Sequence, residues 1–319
     1  MSASILYDVI VLGSGKGGKT LATELGHKGI KTALIERSAE MIGGSCINLA
    51  CIPTKTLVAS ARAAQAARRA SDFGVRTSEV TVDWPAVRCR AEGVVTAMRT
   101  MNHKNFTSAP ALDFILGTGR FVGPHLIELR EQSGSIRKLT AEKIFINTGT
   151  RPAQPKIPGL DKVGALNSET IQRLDSLPRH LIVLGGSYVS LEFAQMFRRF
   201  GSKVTVLERA SQLLKREDAD LVDALSKLLR EEGIEIQLNC AIERVEKYGE
   251  GISVILTSDG KPTRVSGSHL LVALGRTPNT EELNLAAANI EMDKRGFVRV
   301  NERLETTAAG VWALGDVNG

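Results

Sequence analysis

The chain has 319 residues, which suits two domains better than one, and an apolar fraction of 43% that allows a sizeable core in each. A formal charge of +6, with no long Lys/Arg block, excludes a nucleic-acid stripe, and four cysteines exclude a secreted disulfide framework. No apolar run approaches membrane-spanning length and the run at 7–12 is too short for a signal segment, so the expectation is a cytoplasmic protein with neither a membrane nor a nucleic-acid partner.

The first unit in chain order is a strand at 7–12, the turn Gly13-Ser14-Gly15-Lys16-Gly17-Gly18, a helix to about His27, and a strand at 31–36 closing on Glu36. A G-x-G-x-x-G turn between a buried strand and a helix suits the pyrophosphate of a dinucleotide. Gly13 makes the turn, Gly15 admits the phosphates, Gly18 lets helix and strand pack, and Glu36 accepts from a ribose hydroxyl.

Next comes Gly43-Gly44-Ser45-Cys46-Ile47-Asn48-Leu49-Ala50-Cys51-Ile52-Pro53-Thr54-Lys55, in which a glycine pair lets the backbone approach a ligand closely. Two cysteines four residues apart, ahead of a helix-forming run to about Ala70, suit a reversible dithiol/disulfide. A helix N-terminus predicts a lowered thiol pKa there. Zinc is the competing reading, but neither Cys89 nor Cys240 offers a second close pair or a nearby histidine, so no metal site is expected. Cys89 and Cys240 read as ordinary thiols and the five histidines are scattered.

The segment 81–108 reads as a helix starting near Pro85, with strand pieces at 114–121 and 126–129, and the Pro-rich stretch 151–158 reads as a domain boundary. A second copy of the first pattern follows: a strand at 180–184, the turn Gly185-Gly186-Ser187-Tyr188-Val189-Ser190, a helix to about Phe200, and a strand closing on Glu208. Here Ser187 and Ser190 stand in place of glycines. The reading is a nicotinamide-binding unit, against a degenerate domain that binds poorly, and Glu208 favours NADH over NADPH by repelling a 2′-phosphate. Arg209, Lys215 and Arg216 lie close to it in sequence. The pairs Arg68-Arg69 and Arg198-Arg199 read as solvated helix faces. A strand and turn at 270–279, with Gly275, end the second unit, and 297–300 and 311–316 read as strands returning to the first.

Segment 43–55 resembles the signature of the class I pyridine nucleotide-disulfide oxidoreductases, which include glutathione reductase, dihydrolipoyl dehydrogenase and mercuric reductase. The resemblance covers the whole chain, since both glycine motifs, Asn147-Thr148-Gly149-Thr150, 275–279 and Ala313-Leu314-Gly315-Asp316 follow in the family's order. Ile47, Ile52-Pro53-Thr54-Lys55-Thr56-Leu57 and 16–22 look most like the reactive-chlorine-resistance branch. The resemblance implies an α/β fold of two Rossmann-like domains, one for FAD (1–152 and 278–319) and one for NAD(P) (153–277) inserted in it. It implies Cys46 as the substrate-facing thiol, Cys51 as the flavin-facing thiol, and Lys55 near the flavin, paired with Glu192. Glu192 by itself reads equally as a surface helix carboxylate. Arg37, Gly44, Ser45, Gly119, Thr148, Gly149, Thr150 and Asp316 are implied on the FAD side, with Gly185, Ser187, Glu208 and Gly275 on the NAD(P) side.

The implied reaction passes a hydride from NAD(P)H to FAD and then electrons to the Cys46–Cys51 disulfide, which reduces a small-molecule or metal-ion acceptor. The alternatives are dihydrolipoyl dehydrogenase activity or a catalytically incomplete nucleotide-binding fragment. Departures from the family pattern are Ala50, Asn147 and Ser187. Family members continue past this point into a dimerisation domain that lends a histidine to the partner's thiol. With the sequence stopping at Gly319, the expectation is that this domain is absent, that homodimerisation is in doubt, and that newly exposed strands lower solubility.

Overall fold

The computed structural model describes residues 4–258 and 260–319. Along the chain run β1 (Ile5–Leu12), α1 (Lys16–His27), β2 (Thr32–Glu36), α2 (Ser45–Asn48), α3 (Cys51–Arg68), α4 (Trp84–Ser108), β3 (Leu112–Gly123), β4 (Leu126–Glu131), β5 (Ile136–Ile146) and β6 (Thr150–Pro152). They continue as β7 (His180–Leu184), α5 (Tyr188–Phe200), β8 (Lys203–Leu207), α6 (Ala219–Glu231), β9 (Ile234–Gln237), β10 (Cys240–Tyr248), β11 (Gly251–Ser258), β12 (Lys261–Gly267), β13 (His269–Val272), β14 (Arg276–Pro278) and β15 (Val311–Ala313). The fold is α/β, with two Rossmann-like βαβ units and the second inserted in the first.

The first unit comprises residues up to Ile52, Gly93–Arg151 and Arg276–Gly319. Its strand β1 is buried on both faces from Val9 to Leu12 and pairs in parallel with β2 and β5, while β2 pairs with β3 and β5 with β15. Strands β3 and β5 are long enough to serve twice, since their other halves pair antiparallel with β4. Leu12 stands opposite both Ile35 and Ile146, so β1, β2 and β5 end together. The loops that leave them, at 13–15, 37–44 and 147–149, therefore emerge at one edge, where open parallel sheets bind ligands.

The segment 297–300 is not a strand. Val298 makes one isolated bridge to Met292, around a turn in which the Asp293 carboxylate accepts from the amides of Arg295 and Phe297. Of the two predicted return strands only β15 forms, and it delivers 314–316 to the same sheet edge.

The second unit comprises Pro53–Glu92 and Pro152–Gly275. Its parallel sheet runs in the order β13-β7-β8-β9, beside a separate antiparallel sheet β10-β11-β12. The sequence pattern places 53–92 with the first domain. In the structure Leu57, Ala61, Trp84 and Ala91 share a buried cluster with Phe193, Phe197 and Leu213, and Trp84 lies 5.8 Å and 5.5 Å from the rings of Phe197 and Phe200. Arg198 and Arg199 are not a solvated face: both guanidiniums turn onto Glu232, Arg199 with two bonds to its carboxylate at 2.8 and 2.6 Å. That two-pronged geometry at a mostly buried site ties α5 to the end of α6.

Candidate active site

In the first unit the glycine loop is held from three sides. Glu36, buried at the end of β2, accepts through Oε2 from the Ser14 amide at 3.0 Å and the Ser14 hydroxyl at 2.7 Å. Ser14 Oγ in turn accepts from the Gly43 amide at 3.0 Å, so glycine loop and cysteine loop share one polar chain. Gly44 lies so close that a Cβ there would come within 2.6 Å of Gly15 Cα, and its φ of +80° suits glycine. Asn147 is the third support. Its Oδ1 accepts from the Gly18 amide at 2.8 Å and its Nδ2 donates to the Leu314 carbonyl at 2.7 Å. It thereby caps α1, whose own N-cap, Gly15, has no side chain to do so.

The sequence shows Asn147 only as a departure from pattern; the missed signal is a buried amide where a glycine N-cap needs a partner. Thr148, Gly149 and Thr150 follow it. Thr148 Oγ1 donates to the Asn279 carbonyl, Gly149 turns with φ +65°, and Thr150 Oγ1 donates to Asp316 Oδ2 at 3.2 Å. Arg37 is exposed beside Glu36, and Ser45 opens α2. The position a Cβ at Gly119 would take is closed by Leu12 at 2.9 Å and faces Ile127 and Ile35.

Cys46 and Cys51 are free thiols in hydrogen-bond contact, Cys46 half-buried on α2 and Cys51 exposed at the first residue of α3. Asn48 pins the loop between them, donating to the Ile42 and Gly44 carbonyls and accepting from Arg99 at 2.8 Å. The expected lowering of the thiol pKa does not hold for Cys46. Burial pushes it up to about 11, aided by the hydrogen bond to Cys51 and by negative charge there, against the pull of Lys19 and Lys16. A single-turn α2 offers too small a dipole to reverse this.

Since the folded-state pKa lies above the ordinary 9.0, the stability contributed by the protonated thiol is complete below pH 9 and is lost as pH rises toward about 11. In the reduced chain, Cys46 alkylation by iodoacetamide is accordingly expected to rise about tenfold per pH unit past pH 9, where an ordinary thiol levels off. Peptide mass spectrometry reads this directly, and a plateau by pH 8.5 contradicts it.

In the second unit Lys55, on α3, forms an ion pair with Glu192 of α5, so Glu192 is not an unattached surface carboxylate. The two side chains are 58% and 43% exposed, so water screens the pair and its net stabilisation is about 0–1 kcal/mol.

The second glycine motif repeats the first in detail. Glu208 Oε2 accepts from the Gly186 amide at 2.6 Å, as Glu36 does from Ser14, and Glu208 Oε1 accepts from the Ala210 amide at 2.7 Å. Gly185 has φ +108° and its Cβ position is closed by the Ala273 carbonyl at 2.8 Å, while Gly186 is closed by Leu213 at 2.7 Å. Ser187 is exposed with φ −98°, a conformation that needs no glycine. Gly275 has φ +130° with open space around it. Among the described residues no group of His, Cys, Asp and Glu could hold a metal ion, and no helix is long and apolar enough to cross a membrane.

The family profile for pyridine nucleotide-disulphide oxidoreductases matches residues 7–319. The probable pyridine nucleotide-disulfide oxidoreductase RclA of Escherichia coli (strain K12) is 40% identical over 314 residues, covering 98% of this chain and 66% of RclA. The mercuric reductase of Streptomyces lividans is 36% identical over 98% of this chain and 65% of that enzyme, and dihydrolipoyl dehydrogenases match as well. Among solved structures, the Cu(II) complex of the HOCl-induced flavoprotein disulfide reductase RclA from Escherichia coli superposes with a TM-score of 0.87 at 39% identity, over 98% of this chain and 66% of that one. The chain thus spans about two thirds of the length of these relatives.

Proposed function

The chain belongs to the pyridine nucleotide-disulphide oxidoreductase family, and from that premise we propose that it is the flavin- and nucleotide-binding part of an NAD(P)H-dependent dithiol reductase working through Cys46 and Cys51. Members of the family depend on FAD and take electrons from NAD(P)H. The observation that carries the reading is the contact between two free thiols on a loop packed directly against the dinucleotide turn through Gly44 and Gly15.

The residues present fit the cofactors. In the first unit a Cβ at Gly13 would run into the Asn147 backbone and one at Gly15 into its side chain, and the amides ahead of Gly18 have no side-chain cap, which suits a pyrophosphate. Gly13, Gly15, Gly18, Glu36, Thr148, Thr150 and Asp316 would hold FAD, in a domain made of 1–152 and 278–319. Gly185, Ser187, Glu208 and Gly275 would hold the nicotinamide nucleotide in 153–277. Bound there, the flavin supplies a two-electron relay between NAD(P)H and a Cys46–Cys51 disulfide.

Within the chain, Cys51 stands exposed at the first residue of the 18-residue α3. Lys55, in the same helix, supplies a cation that Glu192 orients. Cys46 is the thiol that meets the acceptor. Two electrons and two protons convert the disulfide to the dithiol, and the dithiol returns them to an electrophile. A metal ion, a reactive chlorine species or a small disulfide all meet that description, and the second reading, lipoamide reduction, is kept by the dihydrolipoyl dehydrogenase relatives. Homodimerisation, as in the family, belongs to the full-length relatives' scheme and is proposed for this protein on that ground. Turnover of NADH with Cu(II), Hg(II), hypochlorite and lipoamide in turn, in wild type and Cys46→Ser, tests the proposal: turnover of none, or turnover indifferent to Cys46, rejects it.

Glu208 decides the nucleotide in this reading, because both its oxygens are fixed by backbone amides and its charge is held where a 2′-phosphate would come. Glu208→Ala is expected to raise the NADH concentration for half-maximal flavin reduction about tenfold and to erase most of the preference over NADPH. Stopped-flow titration with both nucleotides measures it.

A further inference from the structure

Lys19 has no role in the scheme above, yet its position is built. It lies one turn beyond Lys16 on the same face of α1, half-buried, and its ammonium donates to Asn102 Oδ1 at 2.7 Å. Asn102 is itself buried, anchored by its Nδ2 on the Met98 carbonyl, and its side chain lies 3.5 Å from the Cβ position of Gly43. Gly44, the next residue, abuts Gly15 at the start of α1. Both contacts bring α1 and α4 against the backbone that carries Cys46. Among the described residues no carboxylate pairs with Lys19, so a partly desolvated cation is held by a neutral amide that packs on Gly43 of the cysteine loop.

We propose that Lys19 is the charge partner of the Cys46 thiolate, a positioning residue through which α1 sets the reactivity of the redox loop. The charged and titratable groups facing Cys46 are Lys16 and Lys19 from α1 and Cys51 from α3, and Arg99 of α4 is bonded to Asn48 of the same loop. Lys16 is exposed and solvated, whereas Lys19 loses water and gains a fixed direction from Asn102, so its field acts at a lower effective dielectric. Burial and the neighbouring Lys16 lower the Lys19 pKa, and Cys46 opposes them, the sign expected of two groups that stabilise each other's charged forms. Cys46 resists ionisation through burial and through Cys51, and Lys19 is the larger of the two lysine effects working the other way.

The test is the pH profile of Cys46 alkylation in the reduced full chain, read by peptide mass spectrometry. Lys19→Met is expected to slow alkylation at pH 8 by up to about tenfold and to move the profile to higher pH. Lys19→Arg restores it to within about twofold. Lys28→Met, at the far end of α1 and paired with Glu24, leaves it unchanged. Should Lys19→Met fail to fold, Asn102→Asp decides the matter, because a carboxylate on the ammonium draws its charge from Cys46 and shifts the profile the same way. Superimposable profiles for wild type and a folded Lys19→Met, or an unshifted Asn102→Asp, overturn the proposal. The alkylation needs no electron acceptor, so a shifted profile in a chain that reduces nothing rejects the proposed function and leaves this inference standing.

Discussion

Cys51→Ser is expected to bind FAD as tightly as wild type and to lose acceptor reduction by on the order of 10³-fold or more, the scale of removing a reacting group. Anaerobic NADH is expected to give wild type a long-wavelength absorption band from a thiolate lying against the bound flavin, and Cys51→Ser no band. Cys46→Ser is expected to lose acceptor reduction equally but to show the band before any NADH is added, because its remaining thiol can no longer be tied in a disulfide. The two variants separate the roles of sulfurs that lie in contact and differ in setting, one exposed at the start of an 18-residue helix and one half-buried on a single turn. A band that survives in Cys51→Ser reverses the assignment. Diaphorase activity alone does not speak to it, since flavin chemistry of that kind needs no dithiol.

Gly15→Ser is expected to destabilise the first unit by about 1–3 kcal/mol when introduced alone, and much less when combined with Asn147→Ala. The reason is local. A Cβ at Gly15 comes within 2.8 Å of Asn147 Oδ1, while the backbone there is extended, with φ −62°, and tolerates any residue. Asn147→Ala alone leaves the Gly18 amide and the Leu314 carbonyl without partners, at about 1–3 kcal/mol each. The double variant reproduces at two of three positions what the second unit already has. Ala273 holds the place of Asn147, each amide donating to the last carbonyl of the first strand of its unit, and Ser187 and Ser190 hold the places of Gly15 and Gly18. Ser190 Oγ reaches toward the Ala273 carbonyl at 3.4 Å, in the space Asn147 would need. A thermal-unfolding cycle over wild type, both singles and the double measures the coupling. Strictly additive losses contradict the compensation.

The irregularities that the sequence shows one at a time, Asn147 in one copy and Ser187 and Ser190 in the other, are thus two halves of one steric rule. A large polar residue after the last strand closes the Gly15 position, and a small one releases it, while Gly18 is closed first by the Gly13 carbonyl at 2.4 Å. This applies within each unit and leaves the carboxylate clasp, Glu36 on Ser14 or Glu208 on Gly186, the same in both.

Much of the fold is legible because it is periodic or punctuated. The strands at 7–12, 31–36, 180–184 and 203–208 are short apolar runs ended by glycine or acid, and all four form. The stretch 212–269 carries glycine turns at 233, 249 and 260 but repeats neither βαβ pattern, and α6, β9 and the antiparallel sheet β10-β11-β12 are missing from the sequence reading. The segment 297–300 alternates like a strand but makes only an isolated bridge at Val298 to Met292, with single backbone bonds to Glu291, Asp293 and Val317. Gly119 illustrates what spacing alone does not show: Leu12 and Ile35, far from it in sequence, close its Cβ position.

By itself the sequence determined the chemistry that depends on residue type and spacing along the chain: two βαβ turns with a terminal carboxylate, and two cysteines at the head of a helix. Such features are local, and a strand, a glycine turn and a helix start carry their own geometry. Only the tertiary structure decided what those groups face. Burial, then the hydrogen bond to Cys51, rather than a helix dipole, governs the Cys46 thiol; Asn102 ties Lys19 to the Gly43 end of the cysteine loop; and Asn147, 129 residues from Gly18, supplies the cap that α1 lacks. Proton affinity, hydrogen-bond satisfaction and steric room are set by atoms brought within a few ångströms, and which atoms those are depends on how β1, β2 and β5 line up their ends.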